Sequence, residues 1–146
     1  MAVSIRKITL WRTEIEHRPG ALAELLEPLA AAGADLQTVM GYRIPGQNTR
    51  AVIEVAPVGT RKVARAAESG GLAPGGAPTL LVLGDNRPGL ANRIARALAE
   101  SGVNIAFLVA QVVGRRYSAV FGFENEADLD KAADRIRAAV TSRARR

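Results

Sequence analysis

The stretch Asp85-Asn86-Arg87-Pro88-Gly89 decides how this chain is read, because the sequence has already run His17-Arg18-Pro19-Gly20 at an offset of 69 residues. The same offset carries Leu25 onto Ile94, Leu29 onto Leu98, Ala30 onto Ala99 and Gly33 onto Gly102. It also carries Asp35 onto Asn104 and Leu36 onto Ile105, and after a slip of one residue Ala51-Val52 falls on Ala119-Val120. A chance Arg-Pro-Gly match is cheap. One that keeps the helical register, the terminating glycine and the Asp/Asn after it is not, so the chain reads as an internal duplication.

Working outward, each copy has the same order of elements. An apolar strand leads in, Ile8 to Ile15 in the first copy and Leu80 to Leu83 in the second, with Ile8, Leu10 and Arg12 facing opposite to Thr9 and Trp11. Pro-Gly then opens a helix. Proline suits the first helical position and pushes its predecessor out of helical geometry, so Arg18 and Arg87 are expected as the last non-helical residues. Leu22, Leu25, Leu26 and Leu29 form the i, i+3, i+4, i+7 stripe of a helix laid on a sheet, as do Ala91, Ile94, Ala95 and Leu98. Gly33 and Gly102 stop these helices. Second strands follow over 36–44 and 105–113, turns over 45–49 and 114–116, and third strands over 51–55 and 118–123. Closing helices are expected over 60–69 and 126–140, the latter with Leu129, Ala133, Ile136 and Val140 inward. Pro28 lies deep in the first helix, at a usual cost of about 3 kcal/mol, which predicts a kink or change of direction near Glu24.

The division expected is a first repeat over 1–70, a Gly/Pro linker over 71–78, a second repeat over 79–141 and a basic tail over 142–146. The linker is too rich in glycine and proline to read as a strand, and the chain closes on a helix, so neither repeat shows a convincing fourth strand.

Composition bounds the function. The chain has 146 residues, 20 basic against 14 acidic, net +6. Arg143, Arg145 and Arg146 at the end account for half of that excess and read as a solvated end. With no cysteine and a single histidine, His17, disulfides and thiolate or His-based metal sites are not expected, and no metal ligand is assigned. No signal-peptide pattern or membrane-length apolar run is seen, so the expected compartment is the cytoplasm.

An apolar strand, Asp/Asn-Arg-Pro-Gly, a helix, Gly-x-Asn-Ile and two further strands resemble the ACT domain, twice over, across Ile5 to Arg137. The resemblance implies an α+β fold: two tandem ferredoxin-like βαββα(β) repeats, each an antiparallel sheet with helices on one face. It implies a free amino acid as ligand, no cofactor and no catalytic residue. The second copy, Asp85-Asn86-Arg87-Pro88-Gly89 with Gly102-Val103-Asn104-Ile105, is similar to the serine-binding regulatory domain of phosphoglycerate dehydrogenase. There the resemblance places ligand contacts at Asn86 and Asn104. A histidine contributed by the relative is Gly84 here, a departure that counts against serine itself and leaves the amino acid open. In the first copy the matching positions are His17 and Asp35. The resemblance also implies units joined edge to edge in one sheet, with ligand at the junction between repeats. Regulation would then act through a homodimer or a controlled metabolic enzyme.

The residues support such a ligand on their own chemistry. A helix start leaves about four N–H groups unpaired and carries partial positive charge, which suits a carboxylate. Gly20 and Gly89 let a ligand approach the backbone. Asn86 and Asn104 offer amide oxygens to an ammonium, and Asp85 offers charge. The ligand-binding set expected is therefore Asp85, Asn86, Arg87, Pro88, Gly89, Leu90, Asn104 and Ile105, with His17, Gly20 and Asp35 in the first copy. The structural alternative is that these Asx residues are caps and turns, worth roughly 1 kcal/mol each. Trp11 and Tyr42 read as packing or interface residues, and Arg115 and Arg116 as a solvated turn. An enzyme is disfavoured by the lack of a phosphate loop, triad, metal cluster or cysteine nucleophile. A nucleic-acid-binding ferredoxin-like protein is disfavoured because Ser118 and Val120 occupy the central base-stacking positions of the third strand. A ligand-free dimerisation or partner-docking module remains open.

Overall fold

The computed structural model describes residues 3–142, so the expectation for Arg143, Arg145 and Arg146 lies outside the described residues. The elements run β1 (Ser4–Ile8), β2 (Trp11–Glu16), α1 (Ala21–Ala31), β3 (Thr38–Arg43), β4 (Arg50–Ala56), α2 (Arg61–Ser69), β5 (Ala73–Pro74), β6 (Thr79–Asp85), α3 (Leu90–Glu100), β7 (Phe107–Val113), β8 (Arg116–Gly122) and α4 (Glu126–Thr141). They form two compact units, one over 9–76 and one joining the strand at 4–8 to 77–142. Each is α+β, with a four-stranded antiparallel sheet and two helices.

In the first unit the strand order is β3-β4-β2-β5, and in the second it is β7-β8-β6-β1. Equivalent strands hold equivalent places, and both sheets have a fourth strand. The run expected as one strand over Ile8 to Ile15 is two strands belonging to different sheets. β1 pairs with β6 in the second unit, Ile5 opposite Val82, while β2 pairs with β4 in the first, Thr13 opposite Ile53. Nothing in the intervening Thr9-Leu10 breaks the apolar pattern, so periodicity alone ran through the junction. The fourth strand of the first unit comes from the linker expected not to be a strand. Ala73 and Pro74 pair with Arg12 and Trp11, at an edge where proline's missing donor is tolerated. The boundaries thus depart from 1–70 and 79–141: residues 4–8 belong with the later segment.

Each unit has its own core. In the first, Leu25 and Leu29 of α1 and Val63 and Ala67 of α2 cover Ile53 and Val55, with Trp11 and Ile15 packed alongside. In the second, Leu90, Ile94 and Leu98 of α3 and Leu129, Ala132, Ile136 and Val140 of α4 cover Leu80, Val82, Ala119 and Phe121. Leu22, expected on the inner stripe of α1, is exposed. α1 runs through Pro28 as one helix and is not broken at Glu24. α1 and α3 end alike. Gly33 N donates to Ala30 O and Ala34 N to Leu29 O; Gly102 N donates to Ala99 O and Val103 N to Leu98 O, the bond pattern of a Schellman stop.

Candidate functional site

The two Arg-Pro-Gly segments fold identically, but not as helix starts on proline. Ala21 N donates to Arg18 O at 3.4 Å and Leu90 N to Arg87 O at 3.1 Å, closing four-residue turns. Gly20 has φ 87°, ψ −17° and Gly89 has φ 82°, ψ 1°. Those are the angles of the third residue of a type II turn, with proline in its favoured second place. The helices begin two residues later than expected, at Ala21 and Leu90, and glycine is needed for its positive φ whether or not a ligand approaches.

The turns are also moored alike. His17 N donates to Thr49 O at 2.9 Å and Asn86 N to Arg115 O at 2.8 Å, which ties each Arg-Pro-Gly segment to the hairpin beside it. Beyond the turn, the two kinds of helix in each unit differ. α2 is capped by Thr60, whose hydroxyl accepts from Val63 N, and α4 by Asn125, whose side chain accepts from Asp128 N at 2.8 Å. α1 and α3 have no side-chain cap. The first turn of α1 carries Glu24, held by the Arg18 guanidinium at 2.6 Å, which keeps its carboxyl below the usual carboxylate range. The first turn of α3 has no acidic residue, so its positive end is the barer of the two.

The expected ligand residues separate by environment. Asn86, Pro88, Gly89 and Asn104 are exposed, as are His17, Gly20 and Asp35 in the first unit. The Asn86 carboxamide has no hydrogen-bond partner among the described residues, while Asn104 Nδ2 makes only a 3.5 Å contact with Glu124 Oε1. Asp85 is half-buried and forms a 3.0 Å ion pair with Arg116 directly across β6–β8. Leu90 and Ile105 face the core, Leu90 buried and Ile105 partly so. Arg87 reaches inward, and its Nη2 donates at 2.8 Å to the carbonyl of Val140, one of the four unpaired carbonyls at the end of α4. Arg87 Nε is buried with no partner and lines a cavity of about 10 Å³, room for about one water, with Tyr117 alongside. Burial pushes the Tyr117 phenol up.

Asn86 and Asn104 stand before and after α3, which at about 1.5 Å rise per residue separates them by roughly 16 Å. One unit therefore does not bring its two asparagines together, and Asp35 is likewise at the far end of α1 from His17. Sequence reading missed Glu124 at Asn104 and the part played by Arg115 and Arg116. It also missed an open cleft of about 400 Å³ in the first unit, lined by Glu16, His17, Arg18, Asn48, Thr49 and Arg50. The longer 44–49 turn was the available signal. Among the described residues no group of His, Asp and Glu is arranged to hold a metal ion, and no helix is long and apolar enough to cross a membrane.

The model of the ACT domain family matches residues 78–141. No curated protein sequence matches the chain. Among solved structures, a protein of Bacteroides thetaiotaomicron is similar at TM-score 0.73 and 18% identity, covering 91% of this chain and 88% of that one. The regulatory subunit of aspartate kinase from Thermus thermophilus, in its ligand-free form, is similar at TM-score 0.63 and 16% identity, covering 95% and 97%. The corresponding subunit from Thermus flavus is similar at TM-score 0.57 and 16% identity, covering 96% and 97%. At such identities the likeness shows the fold. Residues 78–141, most of the second unit, thus match the ACT family, and both units have a ferredoxin-like fold.

Proposed function

We propose that the chain is a non-catalytic regulatory protein, a tandem ACT protein that binds a free amino acid at the mouth of α3 and signals through its contacts. The observation that carries this reading is the contrast between helix starts. α2 and α4 are closed by their own side chains. α3 is left open behind a rigid Pro-Gly turn, with no acidic residue in its first turn and an unpartnered carboxamide on Asn86. An open helix start with unspent N–H groups suits a carboxylate, and the amide oxygens suit an ammonium. The likeness to regulatory subunits of aspartate kinase supports a regulatory role, with a metabolic enzyme as the controlled partner.

The separation of Asn86 from Asn104 supports a homodimer. β7 is an edge strand of uncharged sequence with Leu108, Val109, Val112 and Val113 exposed. The other edges carry the usual guards against pairing: Arg6 and Lys7 on β1, Arg43 on β3, and the brevity and proline of β5. Antiparallel pairing of β7 with β7 of a second copy about Ala110 sets the Asn104 end of one against the Asn86 end of the other. It also sets Glu124 of one copy against Arg115 and Arg116 of the other. Ligand at the junction of two units then bridges them, and its differential affinity favours the paired state.

Thermal-shift screening of the twenty amino acids tests this. A ligand at 100 times its dissociation constant stabilises by about 2.7 kcal/mol. Asn86→Ala and Asn104→Ala should each abolish the shift, and light scattering should report a dimer. A shift indifferent to both variants overturns the site. No shift with any amino acid, in a protein that is still dimeric, leaves the exposed β7 edge as a ligand-free dimerisation module.

A further inference from the structure

The β3–β4 turn of the first unit spans residues 44–49, whereas only Gly114 and Arg115 separate β7 from β8. The end of the longer turn and the end of β2 together line the cleft of about 400 Å³, a volume within the usual range for small-ligand sites. We propose that this cleft is a separate oxyanion site, taking the carboxylate or phosphate group of a small metabolite, and that it is independent of the α3 mouth.

The walls are held by the backbone. His17 N donates to Thr49 O at 2.9 Å, Ile44 N to Arg50 O at 3.1 Å, and Gln47 N to Ile44 O at 3.0 Å. The side chains lining it are rich in unspent donors. The His17 ring, the Asn48 carboxamide and the Thr49 hydroxyl have no hydrogen-bond partner among the described residues. The Arg50 guanidinium approaches an acid only at 3.8 Å, from Glu14, so its N–H groups remain available. The acid in the lining, Glu16, is already spent: its carboxylate accepts from Arg18 Nε at 2.9 Å. Arg18 is in turn shared with Glu24. A cation would meet a carboxylate already paired with Arg18 and the Arg50 guanidinium, which is held only by a long 3.8 Å ion pair, whereas an oxyanion meets a planar guanidinium fork with hydroxyl, amide and imidazole donors around it.

His17 is the chain's single histidine, so its ring protons give an NMR signal free of overlap from other imidazoles. The test is to titrate the full chain with sodium phosphate and, separately, with sodium succinate, at fixed pH and with ionic strength held constant by chloride. Saturable movement of the His17 signal is expected. Saturation by phosphate alone identifies a phosphoryl group as ligand, by succinate alone a carboxylate, and by both a general oxyanion. Arg50→Gln and Asn48→Ala should each weaken the apparent affinity about tenfold or more, as loss of a charged or amide contact implies. Asn48 lies in an exposed turn, so its variant reports even if Arg50→Gln unfolds the protein. Asn86→Ala with Asn104→Ala should leave the titration unchanged, which separates this site from the amino-acid site. Linear, non-saturating drift in both anions overturns the proposal, as does saturation that persists in both cleft variants.

Discussion

Arg18 and Arg87 occupy the same place in the same turn, yet they do different work. Arg18 stays at the surface and pairs with Glu16 and Glu24. Arg87 turns inward and closes the end of α4, a helix of 16 residues, where α2 in the first unit has 9. The shorter α2 ends at Ser69, before the chain turns through Gly71 and Leu72 toward β5. The two units therefore share the backbone device, a type II turn moored to a hairpin, while the side chains on it differ. Likeness of backbone between the two units thus carries over more safely than likeness of chemistry.

The most forceful way to break the comparison is through the cores. Leu29 and Leu98 are equivalent and each is 1% exposed. Alanine at either should cost about 2–5 kcal/mol. Hydrogen exchange should place the loss of Leu29→Ala in residues 9–76 and that of Leu98→Ala in residues 77–142 with β1. Loss spread evenly over both would show that the units do not respond separately.

Removal of residues 1–8 should act at a distance in sequence. It strips the partly buried Val3 and Ile5 from the second core, for about 3 kcal/mol at roughly 1.5 kcal/mol per side chain. Denaturant unfolding measures the cost. Amides of β6 should lose protection while those of β2 keep it, although β2 is the nearer in sequence.

The two arginines give a finer contrast. Arg87→Ala removes a charged hydrogen bond to a buried carbonyl and should cost about 1.5–3 kcal/mol. Arg18→Ala should leave the unfolding midpoint almost where it was, because exposed ion pairs contribute little.

The smallest effect is electrostatic. The Arg18 guanidinium keeps the Glu24 carboxyl below its ordinary range in the folded state. A folded value below the unfolded one gives stability that is present above the ordinary carboxylate range and lost as pH falls through the lowered value. NMR titration of the Glu24 side chain should show this, and Arg18→Ala should return the carboxyl toward its ordinary range.

Much of the fold was legible because the two similar stretches of sequence check one another. Each helix, each hairpin and the stops at Gly33 and Gly102 were signalled twice. What escaped was non-local. The apolar alternation through Thr9-Leu10 carries no glycine or proline, so nothing local reveals that Ile8 and Trp11 lie in different sheets. A strand of two residues, one of them proline, has no sequence signature. The Pro-Gly pair fits either a first helical position or a type II turn, and only the positive φ of Gly20 and Gly89 decides between them. At the candidate site, the exposure of Asn86 and Asn104 follows from their loop positions. That Arg87 belongs to the end of α4 depends on a contact spanning 53 residues.

The assignment of β1 to the later sheet bears on how this chain comes to be folded during synthesis. Residues 9–76 emerge as a contiguous unit with all their strands in hand. β1, although translated earlier, has no mate until Leu80 to Leu83 have left the ribosome, and it must wait unpaired. Such long-range closure is slow and leaves a strand edge exposed in the interval. Cutting this chain at the glycine-rich connection would therefore not release two whole modules: the later fragment would lack a strand that the earlier one still carries.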